Sequence, residues 1–172
     1  ETTIIGAGKV TGRAGGWTIG LLDAVTPEEK ARLSFADGTR GSTPVEPATN
    51  YFAGRVKRDF RQGASSIGFM GTWTARKVGS PEFTNLLRNN AYFAGVDFEH
   101  NWKNRTWVMT GFVAGSRVTG SPTVMAATQR SSTHYFQRPD ADHLEFDPAR
   151  TSLGGHIAEI GLARNGAWFG SV

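Results

Sequence analysis

The chain has 172 residues, 38% of them hydrophobic and 20% charged, with a mean hydropathy of −0.34 and no cysteine. It is too apolar for a disordered chain, and no run approaches the ~18 uninterrupted apolar residues of a membrane helix, so both of those classes are excluded. The missing cysteine removes disulfide scaffolds, thiolate metal sites and cysteine nucleophiles, while the net charge of +4 is too dispersed for a nucleic-acid footprint, its densest basic group being Arg55, Lys57, Arg58 and Arg61.

Glycine, at 22 of 172 residues, is nearly twice as frequent as the usual ~7% and punctuates segments in which apolar and polar residues alternate. In chain order these segments form hairpins in series. Residues 3–13 and 17–25 make the first, hinged at Ala14-Gly15-Gly16. A long polar connection, 26–49, follows; in it Pro27 to Arg32, with two acids in the first turn, predicts a turn or two of helix. Residues 50–60 and 65–76 form the second hairpin, turning through 61–64. Another connection, 77–90, carries a weaker helix signal over 81–89. The third hairpin pairs 91–102 with 105–118 around Lys103-Asn104. After the longest connection, 119–151, the fourth pairs 152–164 with 167–172 around Asn165-Gly166. About eight antiparallel strands in one unit, 1–172, are therefore expected, and the chain reads as a piece of a longer or processed protein.

The two faces of these strands differ. Phe52, Val56, Ile67, Phe69, Trp73, Tyr92, Val96 and Phe98 share one parity, and Arg55, Lys57, Asp59, Asp97, Glu99 and Asn101 the other. A soluble sandwich or lipocalin-like sugar-binding domain also alternates in this way. Three features favour a transmembrane barrel instead: strands near ten residues long, aromatics close to strand ends (Tyr51, Phe52 and Phe60; Tyr92, Trp102 and Trp107; Trp168 and Phe169), and short turns alternating with long loops. On this reading the first parity faces lipid and the second lines a hydrated lumen. The expected fold is all-β, an antiparallel up-and-down barrel segment belonging to a larger outer-membrane barrel.

The strings Val45-Glu46-Pro47-Ala48-Thr49-Asn50-Tyr51-Phe52-Ala53-Gly54-Arg55-Val56-Lys57-Arg58-Asp59-Phe60, Phe93-Ala94-Gly95-Val96-Asp97-Phe98-Glu99-His100-Asn101-Trp102 and His134-Tyr135-Phe136-Gln137-Arg138-Pro139-Asp140 resemble a known type of domain. It is the β-barrel domain of uncharacterised function that follows a family-9 carbohydrate-binding-module-like domain in large outer-membrane proteins of Gram-negative bacteria. The resemblance covers about residues 3–172. It implies an outer-membrane location with outer-membrane lipid as partner, and a carbohydrate-associated context; it implies no reaction.

Candidate chemistry is sparse. Gly6, Gly8 and Gly12 follow a strand-like start, but the third glycine falls one residue late for a dinucleotide fingerprint and further glycines stand where a helix must begin, so no dinucleotide or other cofactor is expected. Asp140, Asp142, His143, Glu145 and Asp147 could offer oxygens to a hard cation, yet the glycine turn such loops need is missing; His134, His143 and His156 have no zinc-ligand spacing, and no metal is expected. Asp97 and Glu99 stand two apart on one strand, roughly 6–7 Å at the backbone, a distance a glycosidase pair could use. A lumenal ladder with Arg55 and Lys57 is the favoured account of them, so a secreted glycosidase stands beside the soluble sugar-binding or lipocalin-like domain as an alternative to a passive pore or platform. Recognition of oligo- or polysaccharide is expected in 119–151, where Tyr135, Phe136, Arg138 and Asp140 combine aromatic faces with charged groups.

Overall fold

The computed structural model of the chain describes residues 3–165. Among the described residues, nine strands form two sheets. The main sheet is a seven-stranded antiparallel meander of β1 (Gly6–Ala14), β2 (Trp17–Thr26), β5 (Thr49–Phe60), β6 (Ser65–Arg76), β7 (Asn90–Trp102), β8 (Trp107–Thr119) and β9 (Ser152–Arg164), in that spatial order. The second sheet is the hairpin β3 (Glu29–Ser34) and β4 (Arg40–Glu46), inserted between β2 and β5 without separating them. The expected strand 167–172, Gly166 of its turn, and Trp168 and Phe169 lie outside the described residues.

The first three expected hairpins form where alternation and turn chemistry agree. Gly15 and Gly16 take φ of +57° and +81° in the β1–β2 turn, a region glycine enters without a Cβ penalty. The β5–β6 turn runs through Arg61–Gly63 and the β7–β8 turn through Lys103, Asn104 and Arg105, all at positive φ. These turns lie at one end of the sheet, and the long connections lie at the other. In the 77–90 connection, α1 (Pro81–Leu86) starts at Ser80, whose side chain accepts from the Phe83 N–H.

The helix expected over Pro27 to Arg32 is corrected: Pro27 and Glu28 are irregular, and Glu29 to Arg32 belong to β3. The Asp37-Gly38 turn decides this, with Gly38 at φ +81° and the Asp37 carboxylate accepting from the Thr39 N–H at 2.9 Å and its hydroxyl at 2.7 Å. Six residues with no apolar helical face gain more from a hydrogen-bonded partner strand than from one isolated turn. The connection 119–151 also has structure not read from the sequence, α2 (Pro122–Arg130), capped by the Ser121 side chain.

The buried apolar core is small and eccentric. Val124, Met125 and Leu153 form it, with Val118 and Phe136 packed alongside, where the long connection folds over the sheet end. Across the middle of the sheet there is no second layer among the described residues. The accessible surface, 12335 Å², accordingly exceeds the about 8,200 Å² expected of a compact monomer of this mass.

Candidate functional site

Register converts strand parity into two continuous faces. Residues directly opposite in an antiparallel sheet point to the same side. One row across all seven strands reads Gly12, Ile19, Val56, Phe69, Val96, Val113 and Ala158. The neighbouring row on the opposite side reads Arg13, Thr18, Lys57, Gly68, Asp97, Phe112 and Glu159. The parity expected for β5 to β7 thus extends over the whole sheet.

The apolar face is open. Phe52, Ile67, Phe69, Trp73, Tyr92 and Val96 are all exposed, Ile67 at 53% and Phe69 at 50%, while Val56 and Phe98 are half-buried beside their neighbours. Aromatic residues border the face at both ends. At the loop end Trp73 stacks on Tyr92, centroids 6.2 Å apart. At the turn end His100, Trp102 and Trp107 stack in succession at 5.5 and 6.3 Å. Also there, the Arg58 guanidinium lies 5.0 Å from the rings of both Trp17 and Phe60, and Arg164 lies 5.7 Å from Trp107.

The polar face carries linked charges. Arg55 makes a bidentate pair with Asp97, one of its two bonds 2.8 Å long. The pair spans the intervening strand β6: Lys57, Gly68 and Asp97 are in register, so the arginine reaches diagonally across Gly68. Asp59 is approached by Arg13 at 3.3 Å and by Lys57 at 3.6 Å. Asn101, nearly buried, donates from Nδ2 to Glu99 Oε1 at 2.6 Å. Arg55, Lys57, Asp59, Asp97, Glu99 and Asn101 share this side of the sheet. Asp97 is tied to Arg55 and Glu99 to Asn101, an arrangement of paired groups rather than of two carboxylates converging on a bond.

The sugar-recognition candidates of 119–151 separate. Phe136 turns inward onto the small core and lines a cavity, whereas Tyr135 is exposed and Arg138 donates to both oxygens of Asp140 at 3.1 and 2.7 Å. The hydrogen bonds from Arg138 hold the Asp140 carboxyl below its usual range. Asp147 accepts from the Ala149 N–H and pairs with Arg150 at 3.7 Å. Among the described residues no three His, Asp or Glu side chains converge as metal ligands would.

The cavity at the loop end was not legible in any strand. Its volume is about 570 Å³, and it lies between the polar face, through Arg76 and Ser116, and the connections above it, through Arg88, Thr128, His134 and Phe136. The residues come from four separate stretches of chain, so no local motif announces them. No curated protein and no solved structure matches the chain. Residues 1–139 match the family described as a domain of unknown function, DUF5916, and the chain belongs to that family.

Proposed function

We propose that this chain is a wall segment of a β-barrel in the outer membrane of a Gram-negative cell, forming a passive pore or platform that passes or presents oligo- or polysaccharide. The observation that carries the reading is the sidedness of the seven-stranded sheet. Its apolar face lies open and ringed at both ends by aromatic side chains, while the charges that pair across strands lie on the other face; a globular sheet would turn its apolar side to a core. The ten-residue step from Tyr92 to Trp102 spans about 33 Å along a strand, which at the usual ~35–45° tilt gives an apolar band of about 25 Å, the height of the lipid-facing belt of outer-membrane barrels. The lipid-facing set is then Phe52, Val56, Ile67, Phe69, Trp73, Tyr92, Val96 and Phe98, and Arg55, Lys57, Asp59, Asp97, Glu99 and Asn101 line water.

The test pairs two substitutions on opposite faces. Val96→Arg puts a guanidinium near the middle of the band and is expected to cost about 2–4 kcal/mol and impair membrane insertion. Thr110→Arg, in register with Glu99 on the polar face, is expected to insert normally. Heat-dependent gel mobility and recovery in the outer-membrane fraction read both. Normal assembly of Val96→Arg, or recovery of the unsubstituted chain free of membrane, overturns the reading.

A further inference from the structure

The cavity under the long connection has an unusual charge balance. Arg76 donates to the Arg88 carbonyl at 3.2 Å, and Arg88 donates to Thr128 Oγ1 at 2.9 Å. Both acceptors are neutral, and each bond uses one of the five N–H donors of a guanidinium. Neither arginine forms an ion pair among the described residues. No carboxylate among the described residues lines the cavity either. In the body of the polar face, by contrast, Arg13 and Lys57 meet Asp59, and Arg55 meets Asp97. Among the described residues, then, two cations are anchored without a counter-charge in a space of about 570 Å³, within the ~300–1,000 Å³ typical of small-ligand sites.

The remaining lining narrows the ligand. Phe136 lines the cavity with its ring, and Ser116 and Thr133 offer hydroxyls that donate or accept, whereas the Thr128 hydroxyl already donates to the Val124 carbonyl and accepts from Arg88. An anion alone would meet only the arginines and leave the cavity-facing side of Phe136 and the Ser116 and Thr133 hydroxyls uncontacted. We infer that the cavity binds a small acidic sugar, its carboxylate or phosphate on Arg76 and Arg88 and its ring against Phe136. The fork geometry of guanidinium suits both kinds of oxyanion. Arg88 and Thr128 come from the 77–90 and 119–151 connections, so the ligand would also tie these two connections together at one end of the sheet.

This inference goes beyond the membrane reading and stands on the cavity alone; the measurement is valid in detergent whether or not the sheet meets lipid. The full chain, purified in a nonionic detergent, is titrated calorimetrically with glucuronate, glucose 6-phosphate and glucose at low salt. One or both acids are expected to bind at least tenfold more tightly than glucose, with affinity falling as salt is raised. Preference between the two acids assigns the oxyanion as carboxylate or phosphate. The Arg76→Gln/Arg88→Gln double variant is expected to lose tenfold or more for the acids. Thr133→Asp, an exposed lining position whose change spares the core, is expected to weaken them similarly by placing a carboxylate beside the cations, and it serves if the double variant misfolds. Equal affinity for all three sugars, binding of none, or acid affinity unchanged in Thr133→Asp overturns the inference.

Discussion

Gly68 occupies the point on β6 over which the Arg55 side chain crosses to Asp97. A Cβ at this position would stand 2.8 Å from both the Arg55 Cζ and the Asp97 Oδ1, too close for either. The glycine is therefore a gap that lets two strands, separated by a third, share an ion pair. The obstructed atoms are the ends of flexible side chains, so Gly68→Ala is expected to fold and to shed the pair rather than the sheet. A double-mutant cycle with Arg55→Gln and Asp97→Asn checks this. Both side chains are more than a third exposed, so the coupling should be about 0.5–1 kcal/mol with glycine present and near zero with alanine. Coupling that survives the alanine would mean that Arg55 reaches Asp97 by another path.

At the scale of elements, the connection 119–151 is a folded unit held by one buried amide. Gln129 is fully buried in α2; its Nε2 donates to the Met125 and Asp147 carbonyls at 3.2 and 2.9 Å, and its Oε1 accepts from the Asp147 N–H at 2.9 Å. The Phe136 N–H returns to the Gln129 carbonyl at 2.8 Å, and the Arg130 guanidinium lies 4.3 Å from the Phe146 ring. Gln129→Leu strands the Asp147 backbone groups, a loss of about 1–3 kcal/mol. The loss should be local, because β8 and β9 keep their full ladder. Limited trypsin digestion is expected to cut at Arg130 and Arg150 faster in this variant, with the strands still protected; unchanged cleavage would mean that α2 does not hold the connection. The inward turn of Phe136 makes it the wrong residue for testing recognition by truncation, since its loss would open the core, whereas Tyr135 can be replaced freely.

At the scale of the molecule, the two aromatic borders define depth. Versions retaining a single tryptophan, at 73 or at 102, should be quenched in lipid vesicles mainly by bromines near the headgroup end of the acyl chain. A tryptophan placed by Val96→Trp should be quenched mainly by bromines near the bilayer centre. This ordering follows from the rows: Trp73 and Trp102 lie in the borders, and Val96 lies in the row between them. The opposite ordering, or no quenching at any depth, would remove lipid from the apolar face.

What the sequence determined by itself is the alternation and its punctuation. Period two is a local property of extended backbone, and glycine-rich or short polar turns set the register of each hairpin, so the hairpins of the main sheet and the two parities were legible in β5, β6 and β7. Even local signals were missed, the Asp37-Gly38 turn among them, because the acids of residues 28–29 competed as a helix start. Only the tertiary structure decided that β2 and β5 pair across an inserted hairpin, that Arg55 crosses β6, and that Arg76, Arg88, Thr128 and His134 surround one cavity. Each of these joins residues far apart in the chain, and side-chain type alone does not say which distant strand or connection will lie opposite. The exposure of the apolar face is also tertiary: strand pattern separates the two sides of a sheet, but the layer that would cover one of them is a property of the whole fold.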